Sequence, residues 1–362
     1  MDHQTEEISS LPSSLNAFSE GDILLAKVTP CFENGNIAIA SNLLTGVGLC
    51  STELFVLRIH SDKILPEYLM LLLQDDQFKK EAKSYMRGTG GLKRIPTDWL
   101  MSRKFLIPSL KHQRLIIQAM SSSDSLIQDI QKGFKETLDR LSSYRQSLIT
   151  RAVTKGLDGD HQTSFIPLKY LAKLNPDVEQ AMSDEIEYLP MEKVKNGMFL
   201  HHSDKLANLP PSLNSFEDGD ILLAKVTPCF ENGNICLAEN CKGGVGRCST
   251  ELFVLRPNPQ KVMPKFLMLL LQTQSFKQEA ACQMRGTGGL KRIPADWLCN
   301  YKFPIPSLEK QKQIVEYMAS KHSNLDGLTK KIKDSICLLN DYRSSLISAA
   351  VTGQLAIKEA EE

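Results

Sequence analysis

The chain has 362 residues and a formal net charge of +1, with 42% hydrophobic and 23% charged residues. This composition is typical of an ordinary globular protein, and the length suffices for two or three domains with cores. The longest apolar runs, such as 68–73, are too short to span a bilayer, and the acidic, polar start is no secretory signal. We therefore expect a cytoplasmic protein, in which any nucleic-acid binding rests on local basic patches.

A long internal repeat dominates the sequence. The sixteen letters GDILLAKVTPCFENGN occur at 21–36 and again at 219–234, an offset of 198 residues. CSTELFVLR (50–58) and MRGTGGLKRIP (86–96) return at the same offset. A repeat of this length indicates two copies of a whole domain with its linker, rather than a solenoid of short units.

Each repeat begins with a lobe of mixed secondary structure. The apolar, β-prone runs 22–28 and 52–58 predict short strands, and the Asn-Gly pair within 33–36 predicts a turn between them. Helical spacing of apolar residues over 66–86, with Pro66 in the first turn, predicts a helix. A GTGG loop and a short apolar segment ending at Pro108 complete an α+β lobe, and its second version runs to Pro306.

A different kind of helix follows each lobe. Ser109 is placed to cap the first of them, and the serines at 121–123 are a possible interruption. Apolar residues then recur seven apart, which predicts two helices that pair as an antiparallel coiled coil; the alternative is that each stripe packs only on its own lobe. Ile130, Tyr144, Leu328 and Tyr342 are predicted as secondary seam positions. The main seam is Ile127, Phe134, Leu141 and Leu148 in the first helix, and Leu325, Ile332, Leu339 and Leu346 in the second.

The two halves differ in one segment. The second lobe has an extra segment, residues 157–208, 52 in number. Only ten residues precede Leu11 in the first lobe, which therefore either lacks part of its sheet or borrows it. We predict a first lobe at 1–108, a spacer helix at 109–155, a second lobe at 156–306 with a polar linker at its start, a second spacer helix at 307–353, and a tail at 354–362.

Four closely spaced cysteines of the second lobe resemble a zinc site. The first lobe keeps the counterparts of Cys229 and Cys248 but has Ala38 and Leu43 in place of the other two, Cys236 and Cys241. A structural zinc site needs all four ligands. We therefore predict ordinary reduced thiols and no metal site.

Catalytic motifs are missing from the sequence, and a basic patch remains. There is no dinucleotide-binding or Walker sequence, no HExxH, no methyltransferase signature and no carboxylate-rich nuclease motif, so the chain is not expected to be an enzyme. The window 79–104 contains eight Lys or Arg against two acids, and 277–302 contains five against two. Cations beside a glycine loop suit phosphate contact, although a solvated helix face with a tight turn is the alternative. The predicted DNA-binding residues are Lys27, Arg87, Lys93 and Arg94, and Lys225, Arg285, Lys291 and Arg292.

Five motifs in fixed order carry a family resemblance. KVTPCFENGN, STELFVLR, GTGGLKRIP, IPSLEKQKQIVEYM and LNDYRSSLISAAVTGQL follow one another, and together they cover nearly the whole chain. This succession resembles the specificity subunit of type I restriction–modification systems. The resemblance implies two target-recognition domains, each reading one half of a split DNA site, and conserved paired helices that also dock methyltransferase subunits. The family's recognition domain begins with a segment like 165–200, which occurs here once, so the first domain is N-terminally shortened.

The resemblance also implies a division of labour. The chain would contain no cofactor of its own, while partner subunits would use S-adenosylmethionine, ATP and Mg²⁺. The implied partners are double-stranded DNA, two methyltransferase subunits and restriction or translocase subunits, with no membrane. Two alternatives stay open: a truncated or silent recognition cassette that is not assembled, and a coiled-coil interaction protein without a DNA role. Copurification of a methyltransferase tests the first alternative, and salt-dependent DNA binding tests the second.

Overall fold

The computed structural model describes residues 14–60, 62–89, 91–157, 163–178, 185–195, 197–287 and 289–355. The ten N-terminal residues, most of the linker after Gly156, one glycine of each GTGG loop and most of the predicted tail lie outside these ranges. The chain divides into two compact units. Unit 1 consists of residues 1–136 and 331–362, and unit 2 consists of 137–330.

The described part of unit 1 contains five short strands in two small sheets. Strands β1 (Asn16–Ser19) and β4 (Val47–Cys50) pair antiparallel, and β2 (Ile23–Ala26) lies between β3 (Ile37–Ile39) and β5 (Leu54–Leu57). The predicted strands at 22–28 and 52–58 are thus confirmed as β2 and β5, and β2 is buried along its whole length. Its four consecutive apolar residues are typical of a strand covered on both faces.

The helix predicted over 66–86 is two helices. They are α1 (Pro66–Gln74) and α2 (Asp76–Tyr85). Asp75 separates them because its backbone is extended and its carboxylate accepts hydrogen bonds from the N–H groups of Gln77 and Phe78, at 3.2 and 3.3 Å. Such a side-chain cap starts a new helix and ends the previous one. A third short helix, α3 (Thr97–Met101), follows the glycine loop.

The first spacer helix, α4, is continuous over Leu110–Lys155. Ser109 precedes it as predicted, with its hydroxyl 3.4 Å from the N–H of His112. The serine-rich stretch does not interrupt the helix, because the hydroxyls of Ser122 and Ser123 donate hydrogen bonds to the backbone carbonyls of Gln118 and Ala119, one turn earlier. Back-bonding of this kind satisfies the hydroxyl without breaking the helix.

Unit 2 repeats the lobe and adds strands to it. Its elements, in chain order, are β6 (Ser164–Pro167), α5 (Leu168–Leu171), β7 (Ala172–Leu174), β8 (Glu185–Leu189), β9 (Val194–Lys195), β10 (Met198–Phe199), β11 (Ser203–Lys205), β12 (Asn214–Glu217), β13 (Ile221–Ala224), β14 (Ile235–Leu237), β15 (Val245–Cys248), β16 (Leu252–Pro257), α6 (Pro264–Leu271), α7 (Gln274–Gln283), α8 (Ala295–Asn300) and β17 (Lys302–Ile305). The second spacer helix is α9 (Leu308–Val351). The sheets are ordered β11-β8-β15-β12 and β14-β13-β16-β7, with the small pairs β17-β6 and β10-β9.

The two long helices pair antiparallel within each unit. In unit 1 the Arg343 guanidinium binds Asp124 at 2.8 and 2.9 Å, and Gln131 donates to the side chain of Asn340 at 2.8 Å. In unit 2, Arg145 of α4 donates to Asp326 of α9. Higher numbers in α4 thus meet lower numbers in α9, as the predicted antiparallel coiled coil requires.

The two rows of the predicted seam differ in burial. Ile127 and Leu325 are buried, and the remaining six main seam residues are half-buried. Ile130, Tyr144, Leu328 and Tyr342 are instead exposed, by 36 to 57%. The second row lies one residue further along, where polar side chains such as Gln131, Arg145 and Arg343 form the cross-helix bonds. Because these positions are polar, a search for apolar heptads misses them.

Each lobe packs on parts of both long helices. The core of unit 1 joins α1 to Ile116 and Met120 of α4 and to Ile347 of α9. In unit 2, Ile149 and Val153 of α4 and Ile314 of α9 belong to the core of the second lobe. The domain boundaries predicted along the chain stay a prediction, because the compact units divide both helices. No described helix has the length and apolar character needed to cross a membrane.

We expect matched leucines of the two lobes to differ in their contribution to stability. Leu252 is fully buried, whereas Leu54, its counterpart in the repeat, is half-buried. Leu252→Ala should lower the free energy of opening of unit 2 by about 2–5 kcal/mol, and Leu54→Ala should cost unit 1 about 1 kcal/mol, because a partly exposed site leaves a smaller cavity. Native-state hydrogen exchange measures both values. Equal costs would contradict the difference in burial.

Candidate nucleic-acid interface

The glycine loop of each lobe is a closed turn. The backbone N–H groups of Arg87 and Arg94 each donate to the other's carbonyl, at 2.9 and 2.8 Å, and Arg285 and Arg292 do the same. Gly88 has φ +149, and a Cβ there would lie 2.2 Å from the carbonyl oxygen of Leu92. Only glycine fits this close backbone approach. The loop geometry is therefore determined by the sequence in both units.

A threonine at the end of the central strand holds this turn in place. The Thr29 hydroxyl donates to the carbonyl of Gly91 and accepts from the N–H of Lys93, both at 2.9 Å. Thr227 makes the same two bonds to Gly289 and Lys291, at 2.9 and 3.0 Å. Sequence reasoning missed both threonines, although they lie inside the sixteen-letter repeat. Their bonds fix the backbone from which Lys93 and Lys291 extend.

The predicted cations of each unit lie near this turn, and they are either exposed without an ion pair, placed over an aromatic ring, or paired with a glutamate. Arg87, Lys93, Arg285 and Lys291 are exposed, and no acidic side chain in the described parts of the chain forms an ion pair with them. Lys27 and Lys225 are half-buried, with their ammonium groups 5.7 and 5.5 Å from the ring centroids of Phe55 and Phe253. Such cation–aromatic contacts orient the lysine without neutralising it.

Arg94 and Arg292 are paired with glutamates. The guanidinium of Arg94 binds the Glu53 carboxylate through two atoms, at 2.9 and 2.8 Å, and Arg292 binds Glu251 at 2.9 and 2.7 Å. The hydrogen bond from the arginine lowers the pKa of Glu53 and of Glu251 below the ordinary range. These carboxylates stay ionised at neutral pH, so each arginine presents little net charge to a ligand.

The patch of unit 1 is less positive than its sequence window indicates. Lys79 pairs with Asp76 at 3.6 Å, Lys83 with Glu33 at 2.7 Å, and Arg103 with Glu81 at 2.6 Å. Asp76 and Glu33 lie outside the counted window and are brought to it by folding. The free cations at the turn are therefore the better candidates for phosphate contact, since exposed pairs such as these attract a polyanion weakly.

Three of the four closely spaced cysteines of the second lobe are buried, and their surroundings do not favour metal binding. Cys236, Cys241 and Cys248 are buried and free. Burial raises the pKa of the Cys236 thiol to about 12, and it raises the pKa of the Cys241 and Cys248 thiols as well. A zinc ligand must be a thiolate, and these surroundings favour the neutral thiol. Over the described ranges, no group of three or more His, Cys, Asp or Glu is arranged to bind a metal ion.

Comparison with known proteins finds a family match in the second half of the chain. Residues 212–337 match the family described as type I restriction modification DNA specificity domain. The chain is 29% identical over 201 residues to the type I restriction enzyme EcoEI specificity subunit of Escherichia coli, and 30% identical over 198 residues to the EcoAI specificity subunit of the same organism. Each alignment covers 54% of this chain and 34% of the relative, so the chain spans about a third of the length of these relatives.

A solved structure shares the fold over almost the whole chain. A chain from the work titled "Structural basis underlying complex assembly and conformational transition of the type I R-M system" superposes with a TM-score of 0.71 and 19% sequence identity. The superposition covers 96% of this chain and 86% of that one. It confirms the predicted α+β architecture with two long helices. Residues 212–337 are thus similar to the type I restriction modification DNA specificity domain, and the chain is similar to proteins described as specificity subunits of type I restriction enzymes.

Proposed function

We propose that this protein binds double-stranded DNA at a bipartite target and directs adenine methylation or restriction by partner subunits. The observation that carries the proposal is the rigid cationic turn, which occurs with the same hydrogen bonds in both units. Lys93 and Lys291 extend from a backbone that the neighbouring threonine holds. Phosphate contacts of this kind position a protein on the duplex, and other side chains of each lobe then read base edges.

Exposed apolar residues on the long helices support two methyltransferase partners. Ile130 of α4 and Tyr342 of α9 are exposed by 36 and 57% in unit 1, and Leu328 of α9 and Tyr144 of α4 by 49 and 53% in unit 2. Ile130 matches Leu328 in the repeat, and Tyr144 matches Tyr342. Within each unit the two exposed residues lie at the same level of the helix pair, because the Gln131–Asn340 and Arg145–Asp326 bonds are next to them. Exposed apolar clusters mark protein contacts. One methyltransferase subunit would bind per unit.

Catalysis would belong to these partners. The methyltransferase subunits would supply S-adenosylmethionine and flip the target adenine out of the duplex, and restriction or translocase subunits would use ATP and Mg²⁺. This chain would contribute DNA affinity, choice of sequence and the spacing of the two half-sites. The expected location is the cytoplasm, where the chromosome of a bacterium or archaeon is accessible.

We expect Lys291→Ala and Arg292→Ala to weaken binding to all DNA sequences to different extents. Each phosphate contact contributes about 0.9 to the slope of log K against log salt. Lys291→Ala should therefore make this negative slope shallower by about one. Arg292→Ala should make it shallower by less, because Glu251 already neutralises that arginine. Titration of fluorescent duplexes at several salt concentrations, with the chain bound to its methyltransferase, measures both slopes.

Two further variants serve as controls for this experiment. Lys330→Ala removes an exposed cation of α9 away from the turn and should leave the slope unchanged. Glu251→Gln frees Arg292 and should raise the slope. An unchanged slope with altered sequence preference would mean that Lys291 reads bases, and no change of either kind would mean that the patch is only a solvated face.

The target itself is tested by mapping methylated sites in cells that express this chain with its cognate methyltransferase. A motif with two halves separated by a fixed gap is expected, and the near-identity of the two lobes predicts that the halves are related in sequence. One well-defined half beside a degenerate one would mean that the first lobe reads poorly alone. Absence of methylation together with absence of the methyltransferase from the purified protein would favour a silent cassette.

A further inference from the structure

In unit 2, strands of the extra segment 157–208 cover three strand edges. β7 pairs with β16, β8 pairs with β15, and β6 pairs with β17. Asn175, just after β7, extends this contact: its N–H donates to the carbonyl of Val254 at 2.7 Å, and its side-chain oxygen accepts from the N–H of the same residue at 3.0 Å. Residues 164–205 therefore complete both sheets of the second lobe.

The same three edges are bare in the described part of unit 1. β5 ends its sheet, β4 has only β1 as a neighbour, and residues 104–107, the counterpart of β17, form no strand. The acceptor sequence is nearly unchanged, because residues 50–58 are identical to 248–256, while β4 differs from β15 only at Leu49 and residues 104–107 differ from β17 only at Leu106. Open edges with unpaired backbone groups are the usual template for an added strand.

Side-chain burial shows that the bare edges are the ones the segment would cover. Cys248 and Val254 are fully buried in unit 2, while their counterparts Cys50 and Val56 are only half-buried. Ile305 is 8% exposed, whereas the matching Ile107 is 48% exposed. In unit 2 the core around Cys248 and Val254 includes Leu189 and Val194 of the segment. Unit 1 thus retains an apolar surface shaped for residues that its own described part does not supply.

We propose that unit 1 is an acceptor for a second polypeptide that donates strands equivalent to residues 164–205. The donor would place an extended pair beside β4 and β5, with apolar residues where Leu189 and Val194 stand and an asparagine at the position of Asn175. Recognition is through main-chain hydrogen bonds along the edges, with apolar side chains entering the open core. Strand addition concerns the folding of unit 1 and does not depend on the proposed DNA function.

A second copy of this chain is a poorer donor. The 362 residues contain the segment once, and unit 2 holds it through three sheets. Donation by another copy would uncover the edges of that copy's unit 2, so no pairing would be gained overall. A separate chain that carries the segment without a lobe of its own to cover has no such cost.

Hydrogen exchange with mass spectrometry tests the acceptor directly. The full chain is mixed with a separately expressed, ¹⁵N-labelled polypeptide of residues 157–208, which serves as the probe. One probe should bind per chain, and amides of 47–50, 54–57 and 104–107 should exchange about tenfold more slowly, as exposed amides do when they become hydrogen-bonded. The matching amides of β15, β16 and β17 are internal references. In a second arm, residues 157–208 are fused ahead of Leu11, which raises the local concentration of the donor.

The control is the probe carrying Asn175→Pro. Proline removes the N–H that donates to Val254 and is incompatible with the φ of +44 at this residue, so this probe should protect less. Protection confined to unit 2 would show that the probe only replaces residues 157–208 of the chain itself, and this result would overturn the proposal. Absence of protection in both arms would also overturn it. Protection of the same edges by self-association without any probe would identify a second copy as the occupant.

Discussion

Gln311→Met is expected to lower the free energy of unfolding of unit 2 by about 3 kcal/mol or more. The Gln311 side chain is fully buried, and its amide donates to the carbonyls of Lys261 and Pro306, at 3.0 and 2.9 Å. Its oxygen accepts from the N–H of Met263 at 2.8 Å. Methionine has a similar volume but satisfies none of the three groups, and each buried group left unpaired costs about 1–3 kcal/mol.

The same anchor occurs in unit 1. Gln113 is fully buried and bonds the carbonyls of Lys63 and Pro108 and the N–H of Leu65, at 2.7 to 2.8 Å. Each glutamine fastens the first turn of a long helix to the loop that precedes a helix of the lobe. Gln113→Met should therefore destabilise unit 1 by a comparable amount.

Denaturant unfolding followed by hydrogen exchange measures both effects. Gln313→Met is the matched control for unit 2, because Gln313 lies on the same helix, is exposed, and contacts only Glu309 at 3.4 Å among its described hydrogen bonds. It should change stability by less than about 0.5 kcal/mol, as surface substitutions do. A cost below about 1 kcal/mol for Gln311→Met would show that water replaces the lost bonds.

The second large effect is expected from charges in the seam of the paired helices. Leu141 of α4 and Leu339 of α9 are half-buried in units 2 and 1. A glutamate at either position would lose hydration without a bonding partner, which costs roughly 2 kcal/mol or more even at a partly exposed site. Leu141→Glu with Leu339→Glu should separate the helices in both units and release the methyltransferase.

Copurification with the methyltransferase is the measurement for the seam variant. A yield reduced at least about tenfold is expected, which corresponds to about 1.4 kcal/mol of binding free energy. Lys132→Glu with Lys333→Glu places the same charges on exposed faces of the same helices and should leave the yield unchanged. Retention of the methyltransferase by the seam variant, with the helices separated, would mean that docking does not use the helix pair.

Particular residues show how far the sequence pattern reaches. The repeat predicted two α+β lobes, and this fold class was confirmed. The seven-residue apolar spacing predicted the main seam, in which Ile127 and Leu325 are buried and the other six residues are half-buried. The division of the predicted helix at Asp75 was missed, because the sequence does not distinguish an aspartate that caps a helix from one that is only solvated. The second row of the seam was assigned one residue too early, since its members are polar and leave no apolar period.

What the sequence determined by itself is local and repetitive. Strand and helix positions, the glycine turn and the heptad row follow from side-chain spacing and from backbone conformations that neighbouring residues impose. The tertiary structure decided which charges are free and which edges are paired. Arg292 is neutralised while Lys291 is free because folding brings Glu251 to the arginine. β16 is paired on its second edge while β5 is bare because residues 172–174 pair with one of two nearly identical sequences. These differences depend on contacts between residues distant in the chain, which no local pattern encodes.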